Sequence, residues 1–512
     1  MLAFGHVIHI SLLLTSVLQI GHGLNIESDW GKAHSKGQKA LRAKAKICGR
    51  TFVPDVGLGA RPISLAAQRK KTYRMTLENH EDVQYVGEMI IGQQRISGVI
   101  DTGSFELLVF SNECELCGDR ELLYNHNCSS KYHQGNVDMM HSFGSGDTWS
   151  HEAFDTVKIG PLGTTNQSFW EVVDTAMPVL KSATFQAIVG LGPCGSAKLL
   201  ADKRVTEALQ VEQNIKDHGG EVPEDVSWDT QDAIRAQKHS NRKVDLATSL
   251  KLGTFSVCIG PWRGDPGYVV WNDDLPKTQS NYFVNVPNVG PIHWSVQMSD
   301  VRIGHGVYGG SNVVDIGCGG AEGPCGAVLD TGTSLLAAPK AAIDQVDKAL
   351  EKIDYDCSRI SELPDLLFKL GDSEFSLPPE SYVGKVTGII PTALREVLRS
   401  RSNSTVDTTS SETGCQSLLM EVDSKTQFGP MWILGLPFFR KYYTSFNSGY
   451  RPSSRESRSL SFAVADEHCK PTNSVSLIHA ARRAHDVMHI DPSKLRMSTT
   501  MNNARKRRRY DL

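Results

Sequence analysis

The amino-acid sequence predicts a mainly β fold built from two related lobes, and two observations support this prediction. Short runs rich in strand-forming residues, such as YVGEMIIG, FDTVKIG and TFSVCIG, are separated by Gly, Pro and Asn along the chain. This spacing is typical of sandwich-like or barrel-like β structure. The tetrapeptide DTGS at residues 101–104 also recurs as DTGT at residues 330–333. Because a chain of 512 residues is too long for one ordinary core, we expect two lobes.

The repeat extends beyond the tetrapeptide. Each copy is followed well downstream by an apolar run that contains Gly, AIVGLG at residues 187–192 and WILGLP at residues 432–437. A single Asp-Thr-Gly is most simply a turn between strands, because Asp and Gly are favoured there. Two copies with matched apolar flanks indicate instead that a whole lobe is repeated.

The first 23 residues form an apolar stretch that ends in small residues. We interpret residues 1–23 as a secretory signal peptide; a hydrophobic N-terminal strand is the alternative. No later segment offers about 18 uninterrupted apolar residues, so we predict no membrane span.

Eleven cysteines in a chain that enters the secretory pathway are expected to form disulfides, and the odd number leaves at least one unpaired. Cys114 and Cys117 form a C-x-x-C, but no second close pair completes a zinc site, so we predict no metal. Sequons at Asn127, Asn166 and Asn403 are compatible with glycosylation in that compartment.

Charge is distributed unevenly along the chain. Residues 24–71 carry 11 Lys and Arg against three acidic residues, and residues 451–512 carry 13 against six. Subtracting both segments from the net charge of −3 leaves −18 for residues 72–450. We interpret residues 24–71 as a basic prosegment and residues 466–512 as a basic, disordered tail. Because the chain enters the secretory pathway, the basic ends do not indicate a nucleic-acid partner.

One segment within the acidic body interrupts the β pattern. Residues 202–243 are polar and contain few strand formers. We predict a surface insertion there, with some helix and without a catalytic role.

The repeated loops suggest a catalytic pair. Two equivalent loops related by a twofold between lobes can bring Asp101 and Asp330 face to face. Two carboxyls at hydrogen-bond distance do not both ionise readily, so the pair shares one proton. The ionised member can take a proton from a water while the protonated member polarises a substrate carbonyl. The water then attacks an amide without a covalent intermediate, and this chemistry requires no cofactor.

The residues that follow each Asp fit the same geometry. The two glycines permit close approach of the backbone, and the hydroxyls of Ser104 and Thr333 can bond the outer carboxylate oxygens. The threonines can brace one loop against the other. These six predicted support residues are Thr102, Gly103, Ser104, Thr331, Gly332 and Thr333.

With these motifs the chain resembles the pepsin and cathepsin D type of aspartic protease over residues 73–465. YVGEMIIG, FDTVKIG, IVGLG and WILGLPFFRKYYTSFN occur in the order of that family. The resemblance implies a bilobal pepsin-like fold, with an N-terminal lobe at residues 72–258 and a C-terminal lobe at residues 259–465. It also implies an aspartic endopeptidase active at acidic pH, made as a zymogen, monomeric, and binding protein or peptide substrates in extended form in the cleft between the lobes.

The resemblance also implies disulfides. The family has a short and a long disulfide in the C-terminal lobe, and these correspond here to Cys318 with Cys325 and to Cys357 with Cys415. The bond in the first lobe begins at Cys114, for which we favour Cys128 as partner over Cys117. We predict no pairing for the other four cysteines, which are Cys48, Cys194, Cys258 and Cys469.

The flap that closes over substrate in this family corresponds to HSFGSGD, with the substrate-binding residues Phe143, Gly144, Ser145 and Gly146. Phe143 replaces the usual Tyr, and Leu108 replaces the usual Trp near the first Asp. Because both partners of the habitual flap hydrogen bond are apolar here, we expect a flap held by packing. Subsites near the scissile bond should then prefer large apolar side chains.

Two other functional classes are alternatives to an active protease. A peptide-binding protein without catalysis would explain the altered flap, but it has no evident need for two intact Asp-Thr-Gly loops. A secreted structural or lectin-like β protein explains neither the paired loops nor the basic prosegment.

The charge split suggests a mode of control. The basic prosegment should be attracted to the acidic body and could place a Lys of AQRKK, Lys44 or Lys46 over the dyad. Acid would weaken this attraction and release the segment, in an acidic vesicle, a lysosome-like compartment or the extracellular space. A merely solvated leader is the alternative.

Overall fold

A computed structural model describes residues 48, 51–52, 72–241, 244–304, 313–320, 323–387, 415–449, 458–473 and 487–497. The predicted signal peptide and nearly all of the predicted prosegment lie outside these residues. The chain divides into two compact units, residues 1–48 and 49–512, and the fold below is that of the second unit. Within the described ranges, no helix is both long and apolar enough to cross a membrane.

The second unit is mainly β, as predicted. Its described strands are β1 (Tyr73–His80), β2 (Gln84–Ile91), β3 (Gln94–Asp101), β4 (Leu107–Phe110), β5 (His133–Phe143), β6 (Gly146–Ile159), β7 (Leu162–Thr175), β8 (Ala187–Gly190), β9 (Thr254–Ile259), β10 (Gly267–Trp271), β11 (Val284–Pro287), β12 (Ser295–Gly304), β13 (Val314–Gly317), β14 (Cys325–Leu329), β15 (Leu336–Ala338), β16 (Asp365–Leu370), β17 (Ser373–Leu377), β18 (Val383–Val386), β19 (Cys415–Ser417), β20 (Leu419–Glu421), β21 (Lys425–Thr426), β22 (Gly429–Leu434), β23 (Tyr442–Asn447), β24 (Ser459–Val464) and β25 (Met488–Ile490).

Helices are fewer and lie between strands. The described α-helices are α1 (Ser196–Asp217), α2 (Glu224–Ser240), α3 (Leu246–Ser249), α4 (Leu275–Thr278), α5 (Lys340–Glu351) and α6 (Leu436–Lys441).

The largest sheet contains strands from both halves of the chain. Its order is β11-β24-β23-β9-β10-β1-β2-β3-β8-β4-β7-β6-β5. β1 joins the two parts, because it pairs antiparallel with β10 on one side and with β2 on the other. Successive residues of a strand point to opposite faces, and the early part of β1 alternates accordingly between exposed and buried side chains.

The repeat seen in the sequence is also a repeat of topology. In the first lobe β8 pairs in parallel with β3 and antiparallel with β4. In the second lobe β22 pairs in parallel with β14 and antiparallel with β15. The two apolar runs that contain Gly therefore form β8 and β22, the middle strands of two equivalent three-strand units. Each Asp-Thr-Gly lies at the end of the strand that pairs in parallel with that middle strand.

The predicted insertion is mostly helical. α1 begins at Ser196, before the predicted boundary, and α1 and α2 form a hairpin of helices. The small buried side chains of Ala201 and Ala233 permit close packing. At the end of α2, His239 lies 3.1 Å from Glu152 of β6 and stacks on Trp170 of β7. The insertion is therefore docked on the sheet that carries the flap.

The prediction of a disordered tail is wrong for the described part of residues 466–512. β25 pairs in parallel with β18, and Ile490, Leu495 and Met497 are buried in a hydrophobic cluster of the second lobe. A disulfide joins Cys469 to Cys258 of β9. The prediction rested on the net charge of the whole tail and did not weigh these apolar residues. Their burial offsets the entropy cost of ordering the segment.

The disulfides correct one further prediction. Cys318–Cys325 and Cys357–Cys415 are formed as the resemblance implies. Cys114 is bonded to Cys117 and not to Cys128, because the turn between them brings the two Cα atoms to 5.5 Å, within disulfide range. Cys128 is itself disulfide-bonded, and Cys194 is the unpaired cysteine.

Candidate active site

Asp101 ends β3 and is completely buried. Its Oδ1 accepts hydrogen bonds from the backbone N–H groups of Gly103 at 2.9 Å and Ser104 at 3.2 Å. The turn that follows the strand therefore folds back on the carboxylate and fixes its orientation.

Asp330 stands at the equivalent place after β14 and is also completely buried. Its Oδ1 accepts from the backbone N–H of Gly332 at 2.8 Å, and its Oδ2 accepts from the hydroxyl of Thr333 at 2.8 Å. The two loops thus hold their carboxylates by the same backbone contact.

The glycines show how close the two carboxyls lie. A Cβ atom added to Gly103 would be 2.5 Å from the carboxyl of Asp330, and one added to Gly332 would be 2.3 Å from Oδ1 of Asp101. Real Cβ atoms do not approach other atoms so closely. Each glycine therefore packs against the carboxyl of the opposite loop, and the predicted juxtaposition of Asp101 and Asp330 is formed.

The two threonines lock the loops together across the lobes. The Thr102 hydroxyl donates to the carbonyl of Leu329 at 2.8 Å and accepts from the Thr331 N–H at 3.0 Å. The Thr331 hydroxyl donates to the carbonyl of Ile100 at 2.7 Å and accepts from the Thr102 N–H at 3.1 Å. This reciprocal arrangement is the bracing predicted from the sequence.

The two hydroxyls that follow the glycines do not act alike. Thr333 bonds its carboxylate as predicted, but the buried Ser104 hydroxyl has no hydrogen-bond partner among the described residues. The prediction that both hydroxyls bond the outer carboxylate oxygens is therefore wrong for Ser104. At Asp101 the Oδ2 atom instead accepts a hydrogen bond from another group.

That group is the side chain of Arg496, from the C-terminal segment at residues 487–497. Its Nη2 donates to Oδ2 of Asp101 at 2.7 Å, and its Nη1 donates to the carbonyl of Gly332 at 3.3 Å. The side chains of Arg496 and Asp101 are 2% and 0% exposed. A charge-assisted bond between fully desolvated partners of this kind is short and strong.

The flap tip closes over this arginine. Phe143 at the end of β5 is buried in the same hydrophobic cluster as Leu108 and Trp170, so apolar packing holds the flap. The guanidinium of Arg496 lies 5.9 Å from the centre of the Phe143 ring, within cation–π range. Gly146 has a φ of 137°, a conformation that favours glycine at the hairpin turn.

The flap also binds the C-terminal segment directly. The Ser145 hydroxyl accepts a hydrogen bond from the N–H of Met497 at 2.8 Å and lies 3.3 Å from the Met497 carbonyl. On the opposite side, the Ser334 hydroxyl accepts from the Arg496 N–H at 3.0 Å, and the Ser334 N–H donates to the Arg496 carbonyl at 3.1 Å.

Two ionisable groups beside the dyad have shifted pKa values. Burial lowers the pKa of His293, and the nearby charge of Lys203 lowers it further. Asp101 acts in the opposite direction, and the net result is a pKa of about 4. Burial raises the pKa of Glu106, but His141 of β5, 2.9 Å away, outweighs it and holds the pKa at about 2. The Glu106–His141 pair connects the first Asp loop to the flap strand.

The fold and the site together define a class of protein, in which two β lobes present paired aspartates beneath a flap. Comparison with known proteins gives the same class. The family model for eukaryotic aspartyl proteases matches residues 84–219 and 248–391, more than half of the chain. The chain belongs to this family.

Three individual relatives have sequence identities of 26–28% to this chain. Pepsin A of Bos taurus is 26% identical over 389 residues, which cover 73% of this chain and 84% of the bovine protein. Cathepsin D of Gallus gallus is 27% identical over 399 residues, covering 76% and 82%. Cathepsin D of Rattus norvegicus is 28% identical over 400 residues, covering 73% and 80%.

The structure places the two Asp-Thr-Gly loops against each other, and Phe143 and Ser145 of the predicted flap face the C-terminal segment that contacts Asp101. Sequence reasoning missed Arg496, Ser334 and the C-terminal segment. A signal was present, because the basic tail contains VMHIDPSKLRM, in which apolar residues flank Arg496 on both sides.

Proposed function

We propose that this protein is an aspartic endopeptidase that hydrolyses protein substrates at acidic pH through a water activated by Asp101 and Asp330. The observation that carries the proposal is the reciprocal packing of Gly103 and Gly332 against the opposite carboxyls. This arrangement packs each Asp-Thr-Gly turn against the opposite carboxyl and so supports a closely spaced carboxyl pair, which is what one shared proton needs.

The proposed reaction proceeds in two steps. The ionised carboxylate takes a proton from water as the water oxygen bonds to the carbonyl carbon, and the protonated carboxyl donates its proton to the carbonyl oxygen. The resulting tetrahedral intermediate collapses when the C–N bond breaks. The amine leaves with a proton from the carboxyl that took it from water, and a hydroxyl of the intermediate returns a proton to the other carboxylate, which forms the acid product and restores the dyad. Thr333 and the turn N–H groups keep the carboxylates oriented through both steps.

The test replaces each Asp by its uncharged isostere. Asp101→Asn and Asp330→Asn should each abolish cleavage of an unfolded protein at acidic pH, and Asp372→Asn, an exposed carboxyl, should retain wild-type activity. Because Arg496 occupies Asp101 in this structure, all three are made in the wild-type chain and in an Arg496→Ala chain. Near wild-type activity of either dyad variant would refute the assignment.

We propose a preference for large apolar side chains next to the scissile bond. Support comes from the buried Phe143 and Leu108, which place apolar groups at the flap. A peptide-library cleavage profile that favoured charged residues on both sides of the cut would contradict this preference.

We further propose that the chain is made as a zymogen in the secretory pathway, acts as a monomer, and reaches an acidic vesicle or the extracellular space. The disulfides and the exposed sequon residues Asn127 and Asn166 support an oxidising compartment; Asn403 lies outside the described residues. Expression from Leu24, followed by acidification and N-terminal sequencing, tests removal of residues up to about 71. A precursor fully active at neutral pH with its leader attached would exclude an inhibitory prosegment.

A peptide-binding protein without hydrolysis is the second candidate, and the flap favours it, because Phe143 offers no hydroxyl at the tip. A statine peptide that mimics the transition state separates the two. A protease is inhibited by it, whereas the second candidate binds peptides and cleaves none.

A further inference from the structure

We propose that residues 487–497 form a built-in inhibitor that binds the active-site cleft as a peptide ligand, with Arg496 blocking Asp101. The inference rests on the proposed function for its effect on hydrolysis, but the binding it describes does not depend on catalysis. Four groups of contacts carry it: the Arg496 side chain at the dyad, the backbone of the segment, its apolar side chains and the strand β25.

The first contact is the side chain at the dyad. The guanidinium of Arg496 bonds Oδ2 of Asp101 at 2.7 Å and the carbonyl of Gly332 at 3.3 Å. These are the carboxylate and the loop that a substrate carbonyl and its attacking water must reach. A charge-neutralising side chain at this position therefore excludes both.

The second contact is made by the backbone of the segment. Ser145 of the flap and Ser334 of the second lobe bond the backbones of Met497 and Arg496. Gln84 donates from its amide to the carbonyl of Lys494 at 2.7 Å. Backbone hydrogen bonds from both walls are the means by which a cleft binds an extended peptide irrespective of its sequence.

The third contact is apolar. Leu495 and Met497 flank Arg496 and are 1% and 0% exposed, packed with residues of the second lobe. The fourth is the strand β25, which is paired with β18 and places Ile490 in the same cluster. The segment therefore has an anchor of its own and does not depend on Arg496 alone.

The bound segment is not placed for hydrolysis. The group facing Asp101 is a guanidinium, while the Arg496 carbonyl is held by the N–H of Ser334. At Asp101 the segment thus presents a guanidinium in place of a peptide carbonyl, and it acts as an inhibitor without being a substrate.

The test compares three full-length chains and one cut chain. Arg496→Ala removes the blocking group. Lys470→Ala removes an exposed cation of the same tail that lies outside residues 487–497, and is the matched control. The cut chain carries a site for a specific protease between residues 473 and 487, which separates the segment from the body without altering either.

We expect Arg496→Ala to raise kcat/KM on an unfolded protein at least tenfold over wild type, with Lys470→Ala unchanged. Cutting followed by dilution should give a similar gain, and a synthetic peptide of residues 487–497 should restore inhibition. The same peptide with Ala in place of Arg496 should inhibit at least tenfold more weakly. If Arg496→Ala is no more active than Lys470→Ala, and cutting gives no gain, the proposal is overturned.

Binding of a fluorescent statine peptide separates failure of this proposal from failure of the proposed function. We expect the cut chain to bind it at least tenfold more tightly than the uncut chain. Equal binding by both would overturn the inhibitor role even if the enzyme is active. If neither form hydrolyses any substrate, the proposed function fails, and the binding difference alone then decides whether the segment blocks the cleft.

Discussion

Thr102→Val should destabilise the protein strongly, although the two side chains have nearly the same shape. The Thr102 hydroxyl satisfies two buried groups in the second lobe, the carbonyl of Leu329 and the N–H of Thr331. Valine satisfies neither. An unsatisfied buried donor or acceptor costs about 1–3 kcal/mol, so the two together should lower the free energy of unfolding by about 2–6 kcal/mol.

The matched control is Thr102→Ser, which keeps the hydroxyl and removes one methyl group. Its cost should be about 1 kcal/mol, as for other single-methyl deletions. Urea denaturation followed by tryptophan fluorescence measures both variants. The valine variant should also lose activity, because the same bonds set the position of the loop that carries Asp101.

The reasoning would be refuted if Thr102→Val and Thr102→Ser unfolded at the same urea concentration. That result would mean that the hydroxyl bonds across the lobes contribute nothing beyond packing. Thr331→Val provides an independent repeat, since it leaves the carbonyl of Ile100 and the N–H of Thr102 unsatisfied.

Three further predictions concern the site and its surroundings. Gly332→Ala should lower kcat about 100-fold, because its Cβ would lie 2.3 Å from Oδ1 of Asp101 and a misplacement of about 1 Å has that effect. The pKa of His293 is lowered to about 4, so the folded state binds fewer protons than the unfolded state between about pH 4 and 6.5; its contribution is present above pH 6.5 and lost as the pH falls. Over that window the loss of folding free energy is at most about 3 kcal/mol, and less because His293 is only half-buried. His293→Gln should flatten the accompanying fall in Tm, and an unchanged profile would contradict this. Burial raises the pKa of the Cys194 thiol, so iodoacetamide at pH 8 should alkylate Cys194 far more slowly in the native protein than in urea, and equal rates would contradict the prediction.

The internal repeat is why the sequence predicts so much of the fold. Period-two patterns and Gly, Pro and Asn punctuation indicate strands, and two Asp-Thr-Gly loops with matched apolar runs indicate two equivalent three-strand units. The pairings of β8 and β22 follow that repeat. The helical hairpin of α1 and α2 was only partly predicted, because polar helices and polar loops have similar composition.

The site was predicted where local sequence determines it. Asp101, Gly103 and Thr102 take their geometry from a turn of a few residues, so their roles can be read from the motif. Arg496 is 395 residues away from Asp101 along the chain. The apolar residues beside Arg496 indicate a segment that can be buried, but the tertiary fold decides which of the many basic side chains reaches the dyad.

The prosegment hypothesis and the C-terminal inhibitor compete for the same place, because each puts a basic side chain over the dyad. Oδ2 of Asp101 accepts the guanidinium of Arg496 at 2.7 Å, and a lysine from residues 24–71 cannot occupy that position at the same time. Arg496 and Asp101 are both buried, and separating such a pair leaves each charge desolvated without compensation. The segment should therefore leave as a unit into solvent, with Arg496, Leu495 and Met497 released together. If this is correct, removing residues 24–71 alone leaves the cleft blocked, and the step that opens it acts on the opposite end of the chain.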